Sequence, residues 1–298
     1  STGTSGIATT GAYQTVFGGG TRDGILVKFS SGGTRLWATY YGGNDDDYAE
    51  SVATDAAGNV FIGGLTASTS GIATTGSFQD TFGGGGWDGY LAKFDGSGAR
   101  LWATYYGGSD EDRGYSIASD PAGNVYLYGY TQSTSGIATT GSYQPSNAGT
   151  VNAFLVKFDG AGDRIWGTYY GGAGTDYGDY VATDINGNVY IDGIGTSTSG
   201  IASTGAYQTT YGGGLDAFLA KFDSSGTRRW ATYYGGTGYD KAYQMLVDYS
   251  GNVYMCGESG STTAIASSGA FQSAYGGGAA DAFLVKFDSN GARQWATY

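Results

Sequence analysis

The sequence predicts an all-β protein assembled from repeated four-stranded antiparallel sheets, and three observations predict it. The first is a repeat: tryptophan falls at Trp37, Trp102, Trp166, Trp230 and Trp295, at spacings of 65, 64, 64 and 65 residues. The second is composition, with 58 glycines, 27 tyrosines and only 2 prolines among 298 residues. Glycine without a three-residue period excludes collagen, and so many aromatic residues exclude a disordered chain. Together they point to short strands joined by tight turns, since glycine alone takes a positive φ without steric cost. The third is that no segment shows a 3.6-residue apolar period, which excludes a helical solenoid.

Each element of the period follows in order. A short strand of small residues comes first, as in 51–54. A tight D-x-x-G-N turn, beginning at Asp55, Asp120, Asp184 and Asp248, leads into the second strand, as in 188–191. A long Ser/Thr/Gly loop follows, anchored on Ile7, Ile72, Ile137, Ile201 and Ile265 and closing at Gln14, Gln79, Gln144, Gln208 and Gln272. In the third strand, 154–158, alternation puts Phe154, Val156 and Phe158 on one face and Leu155 and Lys157 on the other. The fourth, 164–169, carries the repeated tryptophan. Apolar bulk on both faces suits a sheet stacked between two neighbours. A parallel β-helix uses much shorter coils, whereas a β-propeller blade has four antiparallel strands and a slim innermost one. The predicted fold is therefore a β-propeller of about 64 residues per blade, with four full blades plus an outer half-blade present.

The unit D-x-x-G-N-V-Y, G-A-Y-Q, D-A-F-L-V-K-F and W-A-T-Y-Y-G-G resembles the bacterial β-propeller repeat known as the SBBP repeat, over essentially the whole chain. The resemblance implies a propeller whose strands run from axis to rim in sequence order. It also implies an exported bacterial protein, often a large modular one. The W-A-T-Y-Y-G-G variant resembles those on secreted proteins of gliding Bacteroidetes, exported by the type IX route. The family offers no agreed catalytic residues.

The predicted division is 1–43 for the loop and outer two strands of an incomplete blade, then blades at 44–107, 108–171, 172–235 and 236–298, all in one propeller domain. Neither end supplies the missing inner pair, and an open sheet edge is an aggregation hazard. The expectation is a piece of a longer chain, with other domains of that chain as its first partners.

A formal net charge of −12, with 14 Lys and Arg, argues against nucleic acid, which is bound through clustered cations. No apolar stretch approaches the roughly 20 residues of a membrane helix. Cys256 is the single cysteine and reads as an inert strand residue. No histidine is present, so a Ser-His-Asp triad and a histidine general base are excluded. A paired-carboxylate glycosidase needs only two acids, but no pair stands out from the repeating background.

Three groups are candidate sites. The acidic connectors holding Asp45, Asp46, Asp47, Asp110 and Asp112 could offer a calcium ion several of its six to eight oxygens, although no D-x-D-x-D-G loop is present; solvated loop acids are the plainer account. The repeated Lys28, Lys93, Lys157, Lys221 and Lys286 read as stems laid over a neighbouring sheet, paired with acids such as Asp23, Asp88, Asp216 or Asp281. The repeated tryptophans read as packing between sheets. Trp87 stands apart: it belongs to no repeat position, sits in a glycine loop, and is the candidate for an exposed aromatic contact. The expected function is a non-catalytic structural or adhesive propeller segment at the bacterial surface or outside the cell, touching cell-surface glycans or proteins. A multivalent carbohydrate-binding propeller is the alternative.

Overall fold

The computed structural model describes residues 2–3 and 5–298. Every element among them is a strand. Strands β1 (Gly24–Phe29) and β2 (Arg35–Tyr41) form a two-stranded half-blade. The first blade is β3 (Asp47–Thr54), β4 (Val60–Thr66), β5 (Asp88–Phe94) and β6 (Arg100–Tyr106). The second is β7 (Asp112–Ser119), β8 (Val125–Thr131), β9 (Asn152–Phe158) and β10 (Arg164–Tyr170). The third is β11 (Asp176–Thr183), β12 (Val189–Gly195), β13 (Asp216–Phe222) and β14 (Arg228–Tyr234). The fourth is β15 (Asp240–Val247), β16 (Val253–Ser259), β17 (Asp281–Phe287) and β18 (Arg293–Thr297). All pairs are antiparallel, in sequence order, as in a propeller blade.

The first strand of each blade packs on the first strand of the next, β3 on β7, β7 on β11 and β11 on β15, so these strands line the axis. Slim residues make that approach possible: Ser119 Oγ donates to Thr54 O, and Thr183 Oγ1 donates to Ser119 O, both at 2.7 Å. The inner strands start earlier than the 51–54 segment suggests. Each begins at an aspartate and bends at a bulge, as between Ala49 and Ser51, which aims its first residues differently from its last.

Alternation on the third strand divides its side chains as expected. Phe154 and Phe158 pack with Leu91 and Tyr106 of the blade before. Leu155 packs with Tyr170 and with Phe218 of the blade after. The recurring unit is a tyrosine ring against two rings of the next sheet, such as Tyr106 with Phe154 and Phe158 at 5.2 and 5.9 Å. Such offset and edge-on contacts add to simple area burial.

Candidate binding site where the inner strands begin

The repeated residues hold blades together. Tyr106 Oη donates to Ile137 O at 2.6 Å in the next blade's loop, and Arg164 of that blade donates to the same carbonyl at 3.1 Å. The guanidinium also lies 4.4 Å from the centre of the Phe78 ring, in the blade before. Ile72, Ile137, Ile201 and Ile265 are fully buried, which makes the loops fixed parts of the scaffold. Trp166 is buried between sheets, Trp37, Trp102 and Trp230 lie there half-buried, and Trp295 on the last strand is exposed. Trp102 is half-buried, donates Nε1–H to Gly160 O of the next blade at 3.1 Å, and lies against Gly162. Gly162 has φ +96°, and a methyl there would come within 2.9 Å of the indole, so the position demands glycine twice over.

The lysines cross to the next blade as expected, Lys93 Nζ reaching Gly160 O at 2.9 Å. Their acid partners are different ones. Lys93 pairs with Asp55 at 3.5 Å and Lys157 with Asp120 at 3.2 Å, so the D-x-x-G-N turn supplies the counter-charge. Asp88 and Asp216 instead accept from Gly83 N and Gly212 N, both at 2.6 Å.

The five connector acids do not converge. Asp45 and Asp110 are exposed. Asp46 accepts from Thr21 N and Oγ1, at 2.5 and 2.8 Å, and the Thr21 backbone hydrogen bond holds its carboxyl below the usual range. Asp47 and Asp112 open the inner strands and are buried; Asp47 accepts from Thr66 Oγ1, from Gly43 N at 2.7 Å and from Ser68 Oγ at 2.9 Å. Burial pushes both of these carboxyls up to about 6. Among the described residues no three acidic, cysteine or histidine side chains gather as a metal site.

The blades differ from one another at the start of their inner strands. The second residue of the inner strands is Tyr48, Arg113, Tyr177 and Lys241, and the fourth is Glu50, Tyr115, Asp179 and Tyr243. Trp87 belongs here. It does occupy a repeat position, held elsewhere by Arg22, Val151, Leu215 and Ala280, and it is half-buried rather than free. Its ring meets Tyr48 edge-on at 5.5 Å, and Arg113 of the next blade lies 5.6 Å from its centre. Arg113 Nε pairs with Glu111 at 2.7 Å, and Tyr130 Oη donates to the same carboxylate at 3.0 Å. Tyr130 in turn meets Tyr177 of the third blade at 4.9 Å. A half-buried belt of rings, one guanidinium and one carboxylate therefore spans three blades.

Beside it lies a second non-repeating group that inspection of the sequence missed. Asp179 on β11, Asp192 on β12 and Tyr128 on β8 influence one another, and Asp179 Oδ2, Asp192 Oδ2 and Tyr128 Oη are buried without a hydrogen-bond partner. Burial raises Asp192 well above the usual carboxylate value, with the Asp179 charge adding to it, and burial pushes Asp179 up to about 6 against the opposing pull of Lys241. The signal was present as a departure from the repeat, since Asp192 replaces Gly63, Tyr128 and Cys256 of the other blades.

The opposite ends of the inner strands form a funnel of about 620 Å³, lined by Asp55, Pro121, Ile185, Leu246, Asp248 and Tyr249. Its repeated carboxylates already serve their own turns, as where Asp55 accepts from Asn59 N and Nδ2 at 2.9 and 2.7 Å. It offers apolar surface but no free polar group of its own kind, and the belt at the other end is the better candidate.

Consecutive four-stranded sheets, packed inner strand on inner strand with outer pairs at the rim, define a β-propeller repeat protein. The family model described as the beta-propeller repeat, SBBP, matches at residues 36–71, 101–136 and 229–262. The chain is 26% identical over 261 residues to the regulatory protein FlaEY of Caulobacter vibrioides, covering 80% of this chain and 26% of that protein. It is 26% identical over 195 residues to an uncharacterized WD repeat-containing protein, L264, of Acanthamoeba polyphaga mimivirus, covering 56% of this chain and 14% of that one. The chain thus spans well under half the length of either relative. It also aligns with Kuenenia stuttgartiensis hydrazine synthase at 9% identity and a TM-score of 0.39, covering 95% of this chain and 80% of that one. At that score the likeness says nothing of function. No helix among the described residues is long and apolar enough to cross a membrane.

Proposed function

We propose that the chain is a non-catalytic binding platform, a rigid propeller segment of a large secreted or cell-surface bacterial protein, with its contacts in the Tyr48–Trp87–Arg113–Tyr130 belt. The observation behind this reading is that near-identical blades diverge at this end, where the divergent residues touch across three blades. Ring faces beside a guanidinium and a carboxylate suit a sugar ring, whose C–H face stacks while its hydroxyls take hydrogen bonds. One axial site follows, rather than one shallow site per blade. The test is a glycan array followed by titration of the bound sugars against Trp87→Ala and Arg113→Ala. A loss of tenfold or more in affinity, about 1.4 kcal/mol, is expected for each. Full affinity in both variants would remove the site from the belt.

A second reading is favoured by the Asp179–Asp192 pair. Two carboxyl groups in unlike environments are what acid-catalysed glycoside cleavage requires. It predicts turnover of aryl glycosides that disappears in Asp192→Asn while sugar binding at the belt persists. Absence of turnover across a broad panel leaves the platform reading in place.

A further inference from the structure

Every blade junction buries two acidic positions side by side, and one junction differs in an informative way. Asp88 faces Asp112, and Asp216 faces Asp240, while at the junction between them Asn152 faces Asp176. The pairs occupy equivalent places around a glycine. A methyl on Gly107 would come within 2.5 Å of Asp88 Oδ1 and 2.8 Å of Asp112 Oδ2; on Gly235, within 2.6 Å of Asp216 Oδ1 and 2.9 Å of Asp240 Oδ2. The atoms meeting a methyl on Gly171 are Asn152 Nδ2 and Asp176 Oδ2.

The asparagine shows what that place requires. Its Oδ1 accepts from Ala148 N at 2.8 Å and Gln144 Nε2 at 3.1 Å. These donors correspond to Gly83 N and Gln79 Nε2 on Asp88 Oδ2, and to Gly212 N and Gln208 Nε2 on Asp216 Oδ2. Its Nδ2 donates to Gly172 O and Val151 O, both at 3.0 Å, and faces Asp176 Oδ2 at 3.4 Å. The amide thus fills a place surrounded by acceptors. At the Asp88–Asp112 and Asp216–Asp240 junctions that place is taken by Asp88 Oδ1 and Asp216 Oδ1, both buried and without a partner. An ionised oxygen there would meet only other oxygens, whereas a carboxylic acid O–H would donate as the amide does.

We propose that the Asp88–Asp112 and Asp216–Asp240 junctions each bind one proton, held between the two carboxyl groups in the position of the Asn152 amide, so that blade-to-blade docking is sensitive to pH. The titratable groups facing the first pair are Asp110, Tyr105, Tyr106 and Tyr169, and those facing the second are Tyr211, Tyr233 and Tyr298. Among the described residues, no lysine or arginine is ion-paired with either pair. Burial, with the partner carboxylate adding to it, pushes Asp88 and Asp216 up to about 7, in keeping with this arrangement. Both members of a pair cannot easily ionise at such short range in a buried setting.

The sign follows from proton linkage. A carboxyl whose folded value is raised keeps its proton while the unfolded chain has lost it, so its contribution is complete below about pH 4 and drains away up to about pH 7. The test is thermal melting of the chain from pH 4.5 to 8.5, in chelator, for the wild type and for Asp88→Asn/Asp216→Asn. Asn152 already occupies the equivalent place, so the substitution is one that this scaffold accepts. The double variant should lose less melting temperature on the alkaline side and melt above the wild type at pH 8. The reverse change, Asn152→Asp, should steepen the loss. Parallel pH profiles for all three proteins would overturn the proposal. So would a wild-type melting temperature at pH 8 restored by added calcium but not by acid, since a metal cation would then hold the pair.

Discussion

Ile137 shows how much one repeated residue carries. Its side chain is fully buried and its carbonyl takes hydrogen bonds from Tyr106 of one blade and Arg164 of its own. Ile137→Ala should cost about 2–5 kcal/mol, as other buried aliphatic truncations do, and a shift in urea midpoint would measure it. Tyr106→Phe removes one of two donors to that carbonyl and should cost about 0.5–1.5 kcal/mol by the same measurement. Such anchors are legible in the sequence because they recur at fixed intervals. Trp87 was legible only as an exception to the repeat, and its contacts with Tyr48 and Arg113 were not, because they join residues far apart in sequence. Asp192 was missed for the same reason: its neighbours Asp179 and Tyr128 come from other strands, and one of them from another blade.

At the scale of the element, the D-x-x-G-N turn does more than reverse the chain. Asp120 Oδ1 accepts from Ala122 N and Asn124 N, both at 3.0 Å, while Oδ2 faces Lys157. Burial pushes the Asp120 carboxyl up, but hydrogen bonds from Asn124 and the Lys157 charge outweigh it and leave the group below the usual value. Its stabilising effect is therefore present above about pH 4 and lost as pH falls through its folded value. Asp120→Asn keeps the turn but strands Lys157 in a buried place, at a cost of about 3 kcal/mol that denaturant titration at pH 7 would register. The turn and the following strand were readable from local sequence alone. The start of the inner strand was not, since its opening aspartate reads as one more loop acid until its buried partners, Thr66 and Ser68, are placed beside it.

For the whole molecule, these two kinds of aspartate pull in opposite directions. Turn acids such as Asp120 weaken the fold only in strong acid, while the junction acids Asp88 and Asp216 weaken it as pH rises to about 7. The chain should therefore be more resistant to heat at pH 5 than at pH 8, a difference that calorimetry would report directly. The architecture itself was legible because a repeat multiplies every weak signal by the number of its copies, whereas a binding site occurs once. One property of the junctions reaches beyond stability. Tyr106 gives to the second blade's Ile137 what Tyr170 gives to the third blade's Ile201, so each blade offers its successor the same surface. Excising the 64 residues 108–171 would set Gly107 against Gly172 and leave Tyr106 facing Ile201, so the repeated contact between blades is kept. Recombination between neighbouring repeats can thus lengthen or shorten such a gene by whole blades without selection first having to repair a seam, and blade number becomes a quantity that evolution can adjust in single steps.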